Sequence, residues 1–221
     1  ALPQLRDLSD AFRELPMTIL VIYTITLTLL SAGIAIGMAP LLLIISSNPI
    51  YSLIQDFILL LCRIIPPPLT ALLLILCNRP SISVAALALG IYNFGVLGKV
   101  LKENIYQQNK LLFKSLRSIG ASSPISFIYG RLISQSRQYL AFSSTRLDVI
   151  LRETTLVGVV GGIGLGWQLQ ESLSSFNWPQ VTVVTLTFTL ITLIGEYLSD
   201  KTQEYWMNSI ANSSDLNFVQ E

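Results

Sequence analysis

Apolar residues fill long stretches of the chain, and polar residues gather in short clusters between them. This pattern predicts five hydrophobic spans: about 17–45, 51–76, 81–101, a fourth starting near Gln138, and about 181–198. An uncharged apolar run of about 18 or more residues can cross a bilayer as a helix. No acid or base falls between Glu14 and Asp56, a run of 41 residues. SSNP at 46–49 ends the first span, and NRP at 78–80 ends the second. Inside the second, Pro66, Pro67 and Pro68 follow Arg63. Such a break survives at membrane depth only where protein or a cavity satisfies the freed backbone groups. Ahead of the first span, Arg6, Asp7, Asp10, Arg13 and Glu14 are interleaved with Leu5, Leu8, Phe12 and Leu15. This predicts an amphipathic helix over 1–16 at the membrane surface. A polar tail, 201–221, follows the fifth span.

Composition sharpens the picture. Charged residues make up 12% of the chain, half the roughly 25% of an average soluble domain. The reading is an all-α integral membrane protein, a helical bundle of about five transmembrane helices in one domain over 17–200. Histidine is absent, which removes Ser-His-Asp and Cys-His catalysis and every zinc site that needs an imidazole. Cys62 and Cys77 lie in apolar sequence. On one helix they would be about 22 Å apart at ~1.5 Å per residue, beyond disulfide reach. The first ten residues lack the basic start and apolar core of a signal peptide.

The charges are unevenly placed. From Lys99 to Arg137 there are seven bases (Lys99, Lys102, Lys110, Lys114, Arg117, Arg131, Arg137) against one acid, Glu103. Basic loops stay on the cytoplasmic side, which puts this segment and the C-terminus inside and the N-terminus outside. Within it, KSLRSIGASSPISFIYGRLIS at 114–134 looks like two short helices hinged at Gly120. Leu112, Leu116 and Ile119 share one face. Ile125, Ile128 and Leu132 share another, after Pro124, which suits a first helical turn. The pair reads either as a docking knob or as an ordinary basic loop.

These residues resemble the coupling loop of ATP-binding-cassette (ABC) importer permeases, and more narrowly that of the phosphonate-transporter permease family. Leu116, Gly120, Ala121, Ser122, Tyr129, Gly130 and Leu132 match the family pattern; Lys114, Ser115 and Ile133 stand where it has Glu, Ala and Pro. CRIIPPPL at 62–69 is similar to a second motif through Arg63, Ile65 and Pro66. A third stretch, RLDVILRETTLVGVVGGIGLGWQL at 146–169, matches through Arg146, Asp148, Arg152, Glu153, Thr154, Thr155, Gly158, Val160, Gly161, Gly164 and Gly166. The resemblance covers about 16–200, and members usually carry a further N-terminal span.

That third stretch also has a reading of its own. Charges inside a membrane helix pair with one another or face watery cavities. Asp148 and Arg152 are spaced for a helical ion pair with the acid first, and Arg146 and Glu153 share a face. The cluster is either a structural pin or the polar part of a path for an anion, which arginine grips through planar, bidentate contacts. The five glycines at 158, 161, 162, 164 and 166 are too dense for a stable ordinary helix, at about 1 kcal/mol each against Ala. They allow close helix approach or a re-entrant turn and suggest a constriction or gate. A nucleotide-binding glycine loop is the rival, but no strand–helix alternation surrounds it. Thr24, Thr28 and Ser31, then Gly33 and Gly37, form a small polar face, as do Thr182, Thr185, Thr189 and Thr192; packing is the simpler reading for both.

The resemblance implies a type I ABC importer (MetI-like) permease fold and a non-catalytic pore subunit in a bacterial inner (plasma) membrane. Lys114, Leu116, Arg117, Gly120, Ala121, Ser122, Tyr129 and Gly130 would couple it to an ATPase. Arg146, Asp148, Arg152, Glu153, Thr154, Thr155, Gly158, Gly161 and Gly164 would form the translocation path or gate. A homodimer of permeases, ABC ATPase subunits and an extracytoplasmic substrate-binding protein are the implied partners, besides membrane lipid; nucleic acid is not among them. ATP and Mg would belong to the ATPase, with no cofactor bound by this chain. Phosphonate, phosphite or a related oxyanion is the implied solute. A permease for methionine or another small solute, an intramembrane lipid enzyme and a structural membrane subunit stand as alternatives. The enzyme is disfavoured by the missing histidine and the lack of an acidic metal cluster.

Overall fold

The computed structural model describes residues 5–45, 52–107 and 111–218, without the side chains of 5, 45 and 209–218. The SSNP turn, the start of the second span at Tyr51, Lys110 and the ends of the N-terminal helix and the tail lie outside the described residues. Every described element is helical: α1 Leu5–Glu14, α2 Met17–Ile45, α3 Ser52–Ile64, α4 Pro67–Cys77, α5 Ile82–Gln107, α6 Leu111–Ser118, α7 Ser123–Phe127, a π turn Ile128–Leu132, α8 Ile133–Gly161, α9 Gly164–Ser174 and α10 Trp178–Phe218. Three are long and apolar enough to cross a membrane: Met17–Ile44, Ile82–Gln107 and Trp178–Asn208. Two bent pairs, α3 with α4 and 123–161 with α9, bring the number to as many as five.

Local chemistry explains most helix ends. The proline triplet breaks the second span: α3 stops at Ile64, and α4 starts at Pro67 with Pro66 as its cap. Proline suits that first position because its missing N–H has no intrahelical partner to lose. Elsewhere the helices outrun the spans read from hydropathy. The third continues from Leu101 to Gln107, across the i,i+4 ion pair Lys99–Glu103 at 3.3 Å. The fifth runs past Leu198 to Phe218. No glycine or proline follows Gly195, so polarity changes there without anything to stop the helix. The expected second docking helix likewise does not end at Leu132. It passes through the π turn into α8, so the fourth span begins as a helix well before Gln138.

The chain divides into two compact units. The first comprises 1–33, 65–90 and 147–197. In it Leu27, Ala71, Ala85, Ala88, Leu89 and Val157 interlock α2, α4, α5 and α8. Lipid is as apolar as leucine, so helix association in a membrane rests on close packing, and these alanines permit it. A second cluster joins Ala11 of α1, Met17 and Leu20 of α2, Leu165 of α9, and Val183 and Val184 of α10. Leu8 and Leu15 pack against it. The apolar face of α1 therefore meets protein, although Phe12 stays exposed.

The second unit comprises 34–64, 91–146 and 198–221. Ala35, Ala39, Leu43, Leu59, Phe94, Leu97, Leu101, Ile105, Phe127 and Tyr139 form its core. Tyr139 donates its hydroxyl to the Ile36 carbonyl at 2.8 Å. Buried Lys102 donates to the Ser52 carbonyl (3.0 Å), Ser52 Oγ (3.1 Å) and Asp56 Oδ1 (2.5 Å), tying α5 to α3. A buried ammonium with three acceptors has its full donor capacity used.

Candidate functional site: a docking hairpin and a glycine turn

In the second unit, α6 ends in a paired-bond cap. Gly120 N–H bonds to the Arg117 carbonyl and Ala121 N–H to the Leu116 carbonyl, both at 3.1 Å. Gly120 has φ 91°, in the left-handed region that this C-cap requires. Leu116, Arg117, Gly120 and Ala121 are thus parts of one turn. Ser122 follows in extended conformation as the cap of α7, with Pro124 in the first turn. α6 then lies back on the π turn. A Cβ at Gly130 would stand 2.9 Å from Phe113 Cα, and the Arg131 guanidinium sits over the Phe113 ring at 4.2 Å from its centroid. The hairpin buries Ser126, Phe127 and Gly130 and exposes Lys114, Arg117, Leu112, Ile119, Ile125 and Tyr129. Ile119 is 82% exposed. The predicted apolar faces therefore point largely outward from a preformed knob.

In the first unit, α8 also ends on a left-handed glycine: Ile163 N–H bonds to the Gly158 carbonyl at 3.1 Å around Gly162, at φ 68°. Gly164, at φ 71°, opens α9. No local side chain caps that helix. Thr24 of α2 does so from a distance, accepting Leu165 N–H at 3.1 Å while donating to the Leu20 carbonyl at 2.9 Å. The two helix ends meet backbone to backbone. A Cβ at Gly158 would lie 2.7 Å from the Ile163 carbonyl oxygen, one at Gly161 3.1 Å from Ala85 Cβ, and one at Gly166 would overlap the Thr155 carbonyl. The hydroxyls of Thr154 and Thr155 turn back to the Leu151 and Arg152 carbonyls of their own helix.

Nearly two turns before the glycines, Arg152 Nη2 bonds to Asp148 Oδ2 at 2.9 Å and to Glu196 Oε2 at 3.1 Å. The Asp148 side chain is 12% exposed, whereas those of Arg152 and Glu196 are each 51% exposed. Glu153 is half-buried. Glu196 was not singled out from sequence; its signal is a lone acid within span five, beside Gly195, where an added Cβ would lie 2.6 Å from Leu151 Cδ2. Arg146 belongs to the second unit. There its Nε donates to Asn93 Oδ1 at 2.6 Å, and the guanidinium lies 5.9 Å from the Tyr92 centroid. Asn93 is fully buried, and an amide in the middle of an apolar run is the mark that could have found it. Thr24, Thr28 and Ser31 are buried and bond one turn back along α2. Among the described residues, no atom outside the local helix backbone lies within 4 Å of a Cβ built on Gly33 or Gly37.

No protein-family profile matches the chain. It is 30% identical over 138 residues to a Stutzerimonas stutzeri protein provisionally assigned as a phosphite transport system permease, covering 62% of this chain and 53% of that one. It is 25% identical to a phosphate-import permease of Mycolicibacterium smegmatis, over 71% of this chain and 30% of that one. A provisionally assigned cryptic phosphonate transport permease of Escherichia coli is 26% identical, over 55% of this chain and 99% of that one. The chain thus spans about half the length of the first of these relatives, and less of the second. Among solved structures, a crystal structure of an amino acid ABC transporter with histidines superposes with a TM-score of 0.66 at 20% identity, covering 83% of this chain and 91% of that chain.

Proposed function

We infer that this chain is a phosphonate-type permease of an ABC transporter: its sequence is similar to phosphite and phosphonate permeases, and its fold is that of an ABC-transporter permease. It is a multi-pass membrane protein. It forms the pore of an importer for phosphonate, phosphite or a related oxyanion, paired with a second copy. ATP hydrolysis in separate cytoplasmic ATPase subunits, which hold the ATP and Mg, drives it. An extracytoplasmic binding protein delivers the solute. The chain contributes no catalytic residue and binds no cofactor. Lys114, Leu116, Arg117, Gly120, Ala121, Ser122, Tyr129 and Gly130 form the surface that meets the ATPase. Arg146, the Asp148–Arg152–Glu196 group, Glu153 and the glycine turn line or gate the path. Half-exposed charges within a membrane helix are expensive against lipid and belong against water or a partner, which favours a path-facing position for Arg152 and Glu196.

The observation that carries the reading is the preformed hairpin of 111–132, which presents apolar and basic side chains outward on a turn at Gly120. Gly120 has open space around it within the chain, so inside this subunit a substitution there acts through backbone conformation, and the Asn and Val variants separate that effect from added bulk at the surface. Gly120→Asn, which tolerates the left-handed region, should keep most of the uptake. Gly120→Val should abolish uptake while ATP hydrolysis continues. A cysteine at Ile119 should cross-link to the ATPase subunit. Normal uptake in Gly120→Val together with no cross-link from position 119 would rule the docking surface out.

A further inference from the structure

Among the described residues, α6, α8 and α9 each end on a left-handed residue spanned by a backbone N–H bond to the carbonyl five residues back. At two of them the left-handed residue is a glycine, Gly120 or Gly162. At the third, the end of α9, it is Phe176 at φ 56°. Phe176 N–H bonds to the Leu173 carbonyl at 3.2 Å, and Asn177 N–H to the Ser172 carbonyl at 3.0 Å. A bulky residue in the left-handed region is an outlier, and such strain persists only where the surroundings over-determine it. Here a polar chain fixes the corner. Gln168 Nε2 donates to fully buried Ser172 Oγ (3.4 Å), Ser172 Oγ donates to Gln180 Oε1 (3.4 Å), and Gln180 Nε2 donates to Glu14 Oε2 (3.3 Å). The Phe176 ring takes no part in this and is 76% exposed. Packing inside the chain does not account for a phenylalanine where the other two caps use glycine.

Position says what meets the ring. The membrane-length segment of α10 starts at Trp178, two residues on. Trp178 is itself exposed, as are Leu186 and Leu190 further along α10. Exposed Phe12 lies on α1, which is bonded to this corner through Glu14 and whose neighbour α2 enters its apolar run at Met17. Tryptophan gathers where hydrocarbon meets headgroups, and phenylalanine joins it on the apolar faces of helices that lie in that boundary. We propose that Phe176, with Trp178 and Phe12, inserts at the headgroup–acyl boundary of the bilayer. This sets the height of the α9–α10 corner, and with it the glycine turn at the other end of α9. The inference rests on the chain being a membrane protein and not on what it carries or which ATPase drives it.

The test uses the full chain, with Cys62→Ala and Cys77→Ala, in vesicles of phosphatidylethanolamine and phosphatidylglycerol. A nitroxide is attached to a cysteine at Phe176 or, as a control, at exposed Ser174. Relative to the control, the label at 176 should be several-fold more accessible to oxygen and several-fold less accessible to a water-soluble nickel chelate. In the parent cysteine background Phe176→Trp should add emission that is quenched most by lipids brominated close to the headgroup. Equal accessibility at 176 and 174, with no added lipid quenching, overturns the proposal. So does a label shielded only when a soluble binding protein is added, which would make the corner a protein-docking site.

Discussion

Thr24 shows how much one hydroxyl can organise. Its oxygen closes a bond on its own helix and also caps a helix 141 residues away. Thr24→Val keeps the shape and strands the buried Leu165 N–H, at a cost of about 1–3 kcal/mol. Thr24→Ser should cost much less. Thermal unfolding in detergent separates them, and equal midpoints for the two variants would show that the bond is idle. Gly164 makes the complementary case. Alanine there must take a left-handed backbone, about 1–2 kcal/mol, and also push its Cβ to 2.7 Å from Thr24 Oγ1. Gly162→Ala bears the first penalty alone, since no atom lies within 4 Å of its Cβ. Gly164→Ala should therefore unfold at the lower temperature. The polar face of Thr24, Thr28 and Ser31 was legible as a packing face. Its link to the glycine turn was not, because periodicity reports which residues share a face and says nothing about what crosses to meet them.

At the scale of elements, Arg152 joins α8 to α10 through Glu196 while pairing with Asp148 on its own helix. Breaking a buried pair by removing one partner costs roughly 3–5 kcal/mol, whereas replacing both can be near neutral. Half-exposed pairs are worth about 1 kcal/mol or less. Arg152→Gln should therefore impair assembly more than Asp148→Ala or Glu196→Gln, because it alone takes the arginine bond from the nearly buried Asp148 carboxylate, whereas half-exposed Arg152 keeps one acid when the other is removed. Asp148→Asn combined with Arg152→Gln should restore assembly, read as the yield of folded, membrane-inserted protein. If Arg152 also meets the anion, uptake stays low in that double variant; full uptake would leave Arg152 a packing residue. The i,i+4 pair was readable from spacing, and Glu196 was not, because no local pattern links positions 44 apart. Element ends divide in the same way. The proline break at 66–68 and the glycine turns announce themselves through residues that cannot continue a helix. The ends placed at Leu101 and Leu198 were read from a change in polarity, and polarity marks only where a helix leaves an apolar layer.

For the whole molecule, the order of the apolar segments, three long helices and two bent pairs, was legible because 41 uncharged residues, a proline break and a single basic segment leave few arrangements. The division into two units, each assembled from three separated stretches of chain, was not, since it depends on packing between distant segments. Sidedness is the matching prediction. If the chain crosses five times with its basic segment in the cytoplasm, a cysteine at Arg117 should react with an impermeant label only after the membrane is opened, and one at Ser174 should react from outside without opening it. An external label that reaches position 117 in sealed cells would reverse the assignment. A mechanical consequence follows from the first half of α8, within the second unit. Because Ile133 to Arg146 is unbroken α-helix, no joint lies between the base of the hairpin and the arginine held by Asn93, over about 20 Å at ~1.5 Å per residue. Such a shaft transmits torque as well as thrust, so its two ends are geared in phase. One alanine inserted after Arg137 would turn the hairpin by roughly 100° relative to Arg146 and seven would restore the alignment to within about 20°, so uptake should fall with the first insertion and return in part with the second.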